Sequence, residues 1–406
     1  MESKIKNRKL YILILMIFSQ FTFNFCSLKE SRETEQDENT KLVFTVSDSL
    51  IVNHLGVLVI DDYDKDLELF AMRDFANHQI YLVNKFGDIV QVINPMEEGE
   101  NFIGGYPAFG TRFFDGQLFV KGINGIFHIF DLNGKKLDKI SLELPNFYTT
   151  ISGGLVEDFD IITNNGDPYI FGFDYNLIDL KTESYPIQKL DFFSTAKYFF
   201  KLNIKTKSTN RLRTFPSSWE PVIENLLVQE PMVAYSIFGD NIAFTFHNSK
   251  EIFYSKVQSD FKKIDSVSKI NHPLLDFNYG IEDFNIEDIS NRREYPSISN
   301  LRLLKDFTFF QINTVIPFEI LSEIRKKYSA FEYFNSIEYK EAVERYVKFN
   351  FVLKSKNGKE FQFEELPVEG QVDFVFGDNT LIINPNFAIE KDYSVFYFLK
   401  VEFESL

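Results

Sequence analysis

One recurrence constrains this chain more than any other feature. Short apolar runs, paired around Gly-containing turns, return about every 46 residues. Gln79 to Val83 and Ile89 to Ile93 flank Phe86-Gly87-Asp88, a strand, turn, strand pattern. Gly125 to Phe130 and Lys136 to Ile140 flank Asp131-Leu132-Asn133-Gly134-Lys135 in the same way. The turn glycines Gly87 and Gly134 are 47 residues apart, and Asp179-Leu180-Lys181-Thr182 follows 48 residues after Asp131-Leu132-Asn133-Gly134. Phe238-Gly239-Asp240-Asn241 returns as Phe376-Gly377-Asp378-Asn379 after 138 residues, three such periods. Asn133-Gly134 and Asn357-Gly358 predict type I′ hairpin turns, whose twist matches paired strands.

A unit of about 45 residues with about four strands cannot bury its faces alone, so neighbours must stack. The pattern therefore predicts an all-β fold, a single β-propeller. Units fall near 67–94, 108–142, 155–190, 195–228, 232–270, 298–365 and 371–406, which makes seven four-stranded blades; the fourth is poorly patterned, and without it the count is six. The strands in Lys41 to Ile60 (LVFTV, GVLVI) are expected to complete the last blade by pairing with the C-terminal strands, which removes an exposed sheet edge. A β-sandwich does not account for a recurrence at three times the same period.

One insertion breaks the strand pattern. After Pro317, Leu321, Ile324 and Tyr328 follow helical spacing, and Tyr339, Ala342, Val343 and Tyr346 do so again after Asn335, an N-cap candidate with Glu338 three residues on. Residues 318–347 are expected to form a helical hairpin, a decoration of the ring's rim or a docking element.

The N-terminus reads as a targeting segment. Lys4, Lys6, Arg8 and Lys9 precede an apolar run, Leu10 to Phe18, too short to span a bilayer as a helix. The only Cys, Cys26, follows it, where a lipoprotein carries its acylated cysteine; Phe25 departs from the small residue usual before that position. Residues 1–25 are expected to be a signal peptide, 26–40 an acylated Cys and polar tether, and 41–406 the propeller. Removing residues 1–25, which hold four cations and Glu2, takes the net charge from −16 to −19. Attachment is then expected to come from lipid on Cys26, because an acidic chain gains nothing from anionic headgroups.

Charge and composition exclude several functions. A net charge of −16 opposes nucleic-acid binding. One Cys makes no internal disulfide and no Cys/His zinc site. His54, His78, His128, His247 and His272 never stand two or four residues apart, so no element presents a local metal pair. No G-x-S-x-G, P-loop or G-x-G-x-x-G occurs. Gly104-Gly105 and Gly153-Gly154 read as turns between blades. Asp62, Asp64 and Asp66 begin like a calcium loop, yet Leu67 stands where Gly is required and Arg73 where a bidentate Glu is required, so the stretch reads as a solvated acidic turn. Glu157, Asp158 and Asp160 form a second acidic cluster, in which Asp158 and Asp160 would share a strand face and repel unless a cation or Arg intervenes. Trp219, the only Trp, reads as a packed anchor between blades; the alternative is a sugar-stacking platform.

The hairpins QIYLVNKFGDIVQVI and IFHIFDLNGKKLDKI, with the loop Glu97-Glu98-Gly99-Glu100-Asn101-Phe102-Ile103-Gly104-Gly105, resemble the bacterial lipoproteins of domain-of-unknown-function family 4221, over residues 40 to 406. The resemblance implies a propeller of the six-bladed, TolB-like kind and an envelope location. It implies no reaction and no functional residue. The expected function is that of an uncharacterised cell-envelope lipoprotein, a non-enzymatic propeller that binds a ligand or protein. The alternatives are an extracytoplasmic hydrolase or lyase with its site in the axial channel, and a structural subunit of an envelope complex. No metal and no cofactor is implied. The expected partners are a membrane, the outer membrane first, and an envelope protein; the chain itself is expected to be a monomer.

Overall fold

The computed structural model describes residues 40–405, apart from 75, 105–107, 146–158, 178–191, 225–232, 247–248, 260, 262–263, 276–294, 329–331 and 386–391. Its described strands form six four-stranded antiparallel sheets, the blades of a propeller. Strand β1 (Thr40–Val52) stands apart at the N-terminus. Blade one holds β2 (Leu58–Asp64), β3 (Leu69–Asp74), β4 (Ile80–Asn84) and β5 (Ile89–Ile93); blade two holds β6 (Gly110–Phe114), β7 (Gln117–Lys121), β8 (Ile126–Asp131) and β9 (Lys136–Ser141). Blade three is β10 (Phe159–Asn164), β11 (Asp167–Phe173), β12 (Phe199–Asn203) and β13 (Thr209–Leu212); blade four is β14 (Val233–Phe238), β15 (Asn241–Phe246), β16 (Glu251–Lys256) and β17 (Ser266–Lys269). Blade five is β18 (Ser297–Leu303), β19 (Phe307–Asn313), β20 (Phe349–Ser355) and β21 (Glu360–Phe363). Blade six takes β22 (Gln371–Phe376), β23 (Thr380–Asn384) and β24 (Ser394–Ser405), and β1 supplies its outermost strand, in register from Thr40 opposite Ser405 to Val52 opposite Ser394.

Six is the lower of the two counts that the sequence pattern allowed. The units expected at 155–190 and 195–228 are one blade, because residues 174–198 separate its second strand from its third, so that 74 residues run from the start of β10 to the start of β14. The closing strand pairs as expected, but only its first half of the 41–60 stretch belongs there; Gly56 to Ile60 leads into β2 and opens blade one. The two Phe-Gly-Asp-Asn phrases do mark equivalent positions, each joining the first and second strands of a blade. They are two blades apart, not three, because the passage of residues 270–296 between blades four and five and the helical insertion of blade five together add about one period. They also meet in space: a methyl group on Gly377 would overlap the ring of Phe238.

The helical hairpin lies between β19 and β20; a short helix also falls between β11 and β12 of blade three, and another between blades three and four. Here α1 is Phe192–Thr195, α2 is Glu220–Ile223, α3 is Phe318–Lys327 and α4 is Ile337–Tyr346. Leu321 and Ile324 of α3 pack with Ile316, Tyr333 and Ala342 into a small core of their own. The N-cap of α4 is Ser336, one residue after the expected Asn335; its Oγ accepts the Tyr339 N–H at 3.2 Å. Glu338 instead accepts the Tyr328 hydroxyl at 2.8 Å, tying the two helices together.

The middle strands of each blade are buried on both faces and read as continuous apolar runs, whereas outermost strands such as β9 and β17 are largely exposed and polar. Ile80 and Leu82 pack toward blade two with Leu118 and Val120, while Tyr81 and Val83 pack toward blade six with Ile382 and Phe396. Phe residues fill the seam between blades three and four, where Phe171, Phe199, Phe244, Phe253 and Phe261 meet. Each contributes roughly 1.5–3 kcal/mol by burial. The recurring turn glycines have a shared cause. Gly87 (φ 89°) and Gly134 (φ 84°) each join the third and fourth strands of a blade, and each turn rests on the outermost strand of the preceding blade. A methyl group on Gly87 would overlap the carbonyl oxygen of Ile51 in β1; one on Gly134 would stand 3.2 Å from Ile93. The type I′ geometry expected at Asn133-Gly134 and Asn357-Gly358 does not occur, because neither Asn has a positive φ. Only the glycine is left-handed, and Asp131 organises the turn by accepting the N–H groups of Asn133 and Lys135.

Candidate functional site

The innermost strands β2, β6, β10, β14, β18 and β22 line the axis, and three of them carry a β-bulge: at Asp61 in β2, at Asn300-Leu301 in β18 and at Asp373 in β22. A bulge adds an unpaired residue and re-aims a side chain. It therefore permits a polar group where regular pairing would place an apolar one.

These polar residues stitch neighbouring blades together through backbone amides. Asp62 Oδ2 accepts the Phe113 N–H of blade two at 2.8 Å. Ser236 Oγ accepts the Leu303 N–H at 2.9 Å, from blade four to blade five. Asn300 Nδ2 donates to the Val372 carbonyl at 2.8 Å, from five to six. Asp373 Oδ2 accepts the Ile60 N–H at 2.8 Å, from six back to one. Arg112 joins three blades at once: its Nη1 donates to the Asp61 carbonyl at 2.7 Å and its Nε lies 3.3 Å from Asp160 Oδ1.

Behind this ring, Asp61 is buried and forms a fork with Arg73 (Nε and Nη2 at 2.5 and 2.8 Å), while Thr111 Oγ1 donates to the same carboxylate at 3.0 Å. The other Arg73 nitrogen donates to the Ala108 carbonyl at 2.9 Å. A bidentate charged pair of this kind holds strand register as well as charge.

An open cleft of about 360 Å³ lies where blades one, two and three converge. Asp62, Tyr63, Lys65, Arg112, Phe113 and Asp160 line it. Burial pushes the Asp62 carboxyl above the usual carboxylate range, against the pull of Arg112 and of two backbone amides. Asp373, nearer the seam between blades six and one, is raised as well. Burial and the neighbouring Asp61 charge bring it up to about 7, in spite of the Ile60 amide, Arg302 and Asn384. The cleft thus offers a carboxyl raised by burial, a second carboxylate paired with a guanidinium, and a phenol, all suited to recognising a polar ligand.

Several sequence expectations can be placed. The Asp62–Asp66 stretch divides: Asp64 caps a turn by accepting the Asp66 and Leu67 N–H groups, both at 2.9 Å, but Asp62 belongs to the axis and not to a solvated turn. The repulsion foreseen at the second acidic cluster is met at Asp160 by Arg112; Glu157 and Asp158 lie outside the described residues, as do Cys26, His247, Gly105 and Gly153-Gly154. Trp219 is a packed anchor. Fully buried, it stacks on Phe215 (centroids 5.4 Å apart) and meets Phe246 of blade four at 4.5 Å. His54 accompanies Asp74 at 2.9 Å. Among the described residues, no group of three His, Cys, Asp or Glu side chains is placed to hold a metal ion. Arg112, Asp61, Arg302 and Asp373 escaped sequence reasoning. The available signal was a charge in the middle of an apolar strand, as in GTRFF and QVDFVF.

No family model matches the sequence, and no curated protein matches it. The fold is similar to that of a member of the duf4221 family from Bacteroides vulgatus ATCC 8482, with a TM-score of 0.59 and 12% identity, over 90% of this chain and 99% of that one. A "putative exported protein" from Bacteroides fragilis NCTC 9343 aligns over 93% of this chain and 99% of its own, with 11% identity and a TM-score of 0.49. The likeness noticed in two hairpins and a loop thus extends to a fold shared along the body of the chain.

Proposed function

We propose that the protein is a membrane-anchored, non-enzymatic binding propeller of the bacterial cell envelope, held by lipid on Cys26, with its polar ligand or protein partner seated in the cleft at Asp62, Arg112 and Asp160. The observation that carries the binding role is the convergence of charged side chains from three blades on one open cleft. Propellers commonly present such a surface near the axis, where loops and inner strands of several blades meet. The basic n-region, the apolar run and Cys26 support the anchor. Among the described residues no helix is long and apolar enough to cross a membrane.

The second reading, a hydrolase or lyase of the axial channel, is favoured by the raised carboxyls of Asp62 and Asp373, since a general acid is a carboxyl kept protonated near neutral pH.

Affinity purification of the full chain from detergent-solubilised envelope, with intact mass measurement, tests both parts. The expected result is an acylated Cys26 and a stoichiometric partner that is lost when Arg112→Ala and Asp160→Asn are combined. An unmodified Cys26 with an intact N-terminus ends the anchor reading. A partner retained by the double variant ends the cleft reading, and turnover lost on Asp62→Asn would move the assignment to the enzyme.

A further inference from the structure

The ring repeats itself after half a turn. Asp62 of β2 and Ser236 of β14 stand three blades apart, each opposite the third residue of the next strand, Ala71 and Ala243. Arg112 of β6 and Arg302 of β18 are related in the same way, opposite Phe119 and Phe309. The hydrogen bonds repeat with the positions. Asp62 and Ser236 each accept the N–H of the residue after the arginine, Phe113 and Leu303. Each arginine donates through Nη1 to the carbonyl of the residue before it, Thr111 at 2.8 Å and Leu301 at 3.1 Å.

The two halves differ in charge. Around the cleft, Arg112 stands with Asp62 and Asp160, and its Nε lies 3.3 Å from the Asp160 carboxylate. In the other half Ser236 takes the place of Asp62. Arg302 forms no ion pair among the described residues, and the Leu301 carbonyl is its one acceptor there. Its charge acts on the Asp373 carboxyl of blade six from beyond ion-pair distance. Asp373 Oδ2 is taken by the Ile60 amide and Asn384, while Oδ1 has no partner among the described residues. Arg302 and Asp373 are both partly exposed on inner strands.

A guanidinium never gives up its proton in a protein, and one drawn partly out of water without a counter-ion is costly. Most of the Arg302 donors remain open to a ligand. Their planar fork matches a carboxylate through two parallel N–H···O bonds. The surroundings favour a single negative charge. Asp61 acts on the same place from β2, and the chain carries −16, so a dianion meets stronger repulsion. Asp373 titrates at about 7 and holds its proton below that, so Oδ1 can donate it to a ligand carboxylate.

We propose that Arg302 and Asp373 form a second ligand site on the inner wall, and that it binds the carboxylate of a small organic acid. The site is separate from the cleft of blades one to three and does not depend on it.

The test uses the full chain and three small methyl-bearing probes: acetate, acetamide and methyl phosphate. Saturation transfer from the protein to the probe's methyl protons reports binding. At pH 6 acetate should show transfer and acetamide none. The acetate signal should fall roughly tenfold in Arg302→Gln, and by less in Arg302→Lys, which keeps the charge and loses the fork. The charged groups that act on Asp373 are Asp61 of β2 and Arg302 of β18. Raising the pH to 8 ionises Asp373, so the signal should fall in the parent and hold level in Asp373→Asn. An acetate signal undiminished in both Arg302 variants overturns the site. So does an absence of transfer to acetate, or methyl phosphate displacing acetate at equal concentration. A signal lost in Arg112→Gln but kept in Arg302→Gln would put the carboxylate in the cleft; the second site then falls and the cleft reading stands.

Discussion

Asp373 accepts the backbone N–H of Ile60 at 2.8 Å, and through that bond the bulge of the last inner strand is joined to the residue that precedes the bulge of the first. A ring built from one chain has one seam where its ends must be joined. At this seam the outer edge is sealed by β1, and the inner edge by the Asp373 carboxyl together with Asn384, whose Nδ2 donates to the Leu58 carbonyl at 2.8 Å.

That carboxyl makes the seam sensitive to pH. The folded Asp373 titrates at about 7, above its ordinary 3.8, so the folded state holds a proton that the unfolded chain releases. Its protonated form favours folding; stability falls as pH rises from about 4 to 7 and stays low above. Asp373→Asn keeps an acceptor for Ile60 and cannot ionise. It is expected to stabilise by roughly 2 kcal/mol at pH 8, after allowance for water in the channel, and to change little at pH 4. Thermal melts of the two proteins at both pH values decide it; an equal shift at both would contradict the assignment.

His128 acts in the opposite sense. It is buried in β8, and neither ring nitrogen has a hydrogen-bond partner among the described residues. Burial, with Lys136 and Lys139 nearby, lowers it from 6.5 to about 4. The unfolded chain therefore binds the proton first, and stability is lost as pH falls from 6.5 toward 4. The loss amounts to about 3 kcal/mol. His128→Leu should flatten that part of the curve, as read by urea unfolding at pH 7 and pH 4.5. A variant with the same acid slope as the parent would show that other groups carry it.

Two glycines with similar backbone angles should respond differently to the same substitution. Gly358 (φ 91°) has open space where a methyl would go, and Gly358→Ala should cost only the left-handed penalty, about 1–2 kcal/mol. Gly87→Ala adds a collision with β1 and should cost roughly 3 kcal/mol or more. Urea midpoints at constant m-value compare them directly. Equal costs would mean that the turn does not rest on β1.

The Asp61–Arg73 fork is buried, so removing one partner strands a charge. Arg73→Met should destabilise by roughly 3–5 kcal/mol, and Asp61→Leu added to it should recover much of that loss. A double variant no better than the single would locate the cost in the lost Ala108 contact instead.

Much of the fold was legible because it is local. Gly87 and Gly134 announced hairpin turns, their spacing announced repeated units, and the run from Gln79 to Ile93 carried its strands in its own residue types. The helical hairpin was visible for the same reason, since Leu321, Ile324 and Tyr328 declare one face of a helix without help from the rest of the chain. Blade three was not, because the long passage between β11 and β12 imitates a unit boundary, and only pairing in space shows that Phe171 and Lys201 are partners.

The axial site was hidden for a different reason. Arg112 and Asp373 are isolated charges in apolar strands, Asp61 stands beside Asp62 at the start of what reads as an acidic turn, and nothing in their positions along the chain relates them. Hydrophobic periodicity is written in neighbouring residues, so the amino-acid order alone determined that thin sheets would form and need one another. Which blade meets which, and so which carboxyl faces which amide, was decided only when the ring closed and brought residue 373 to residue 60.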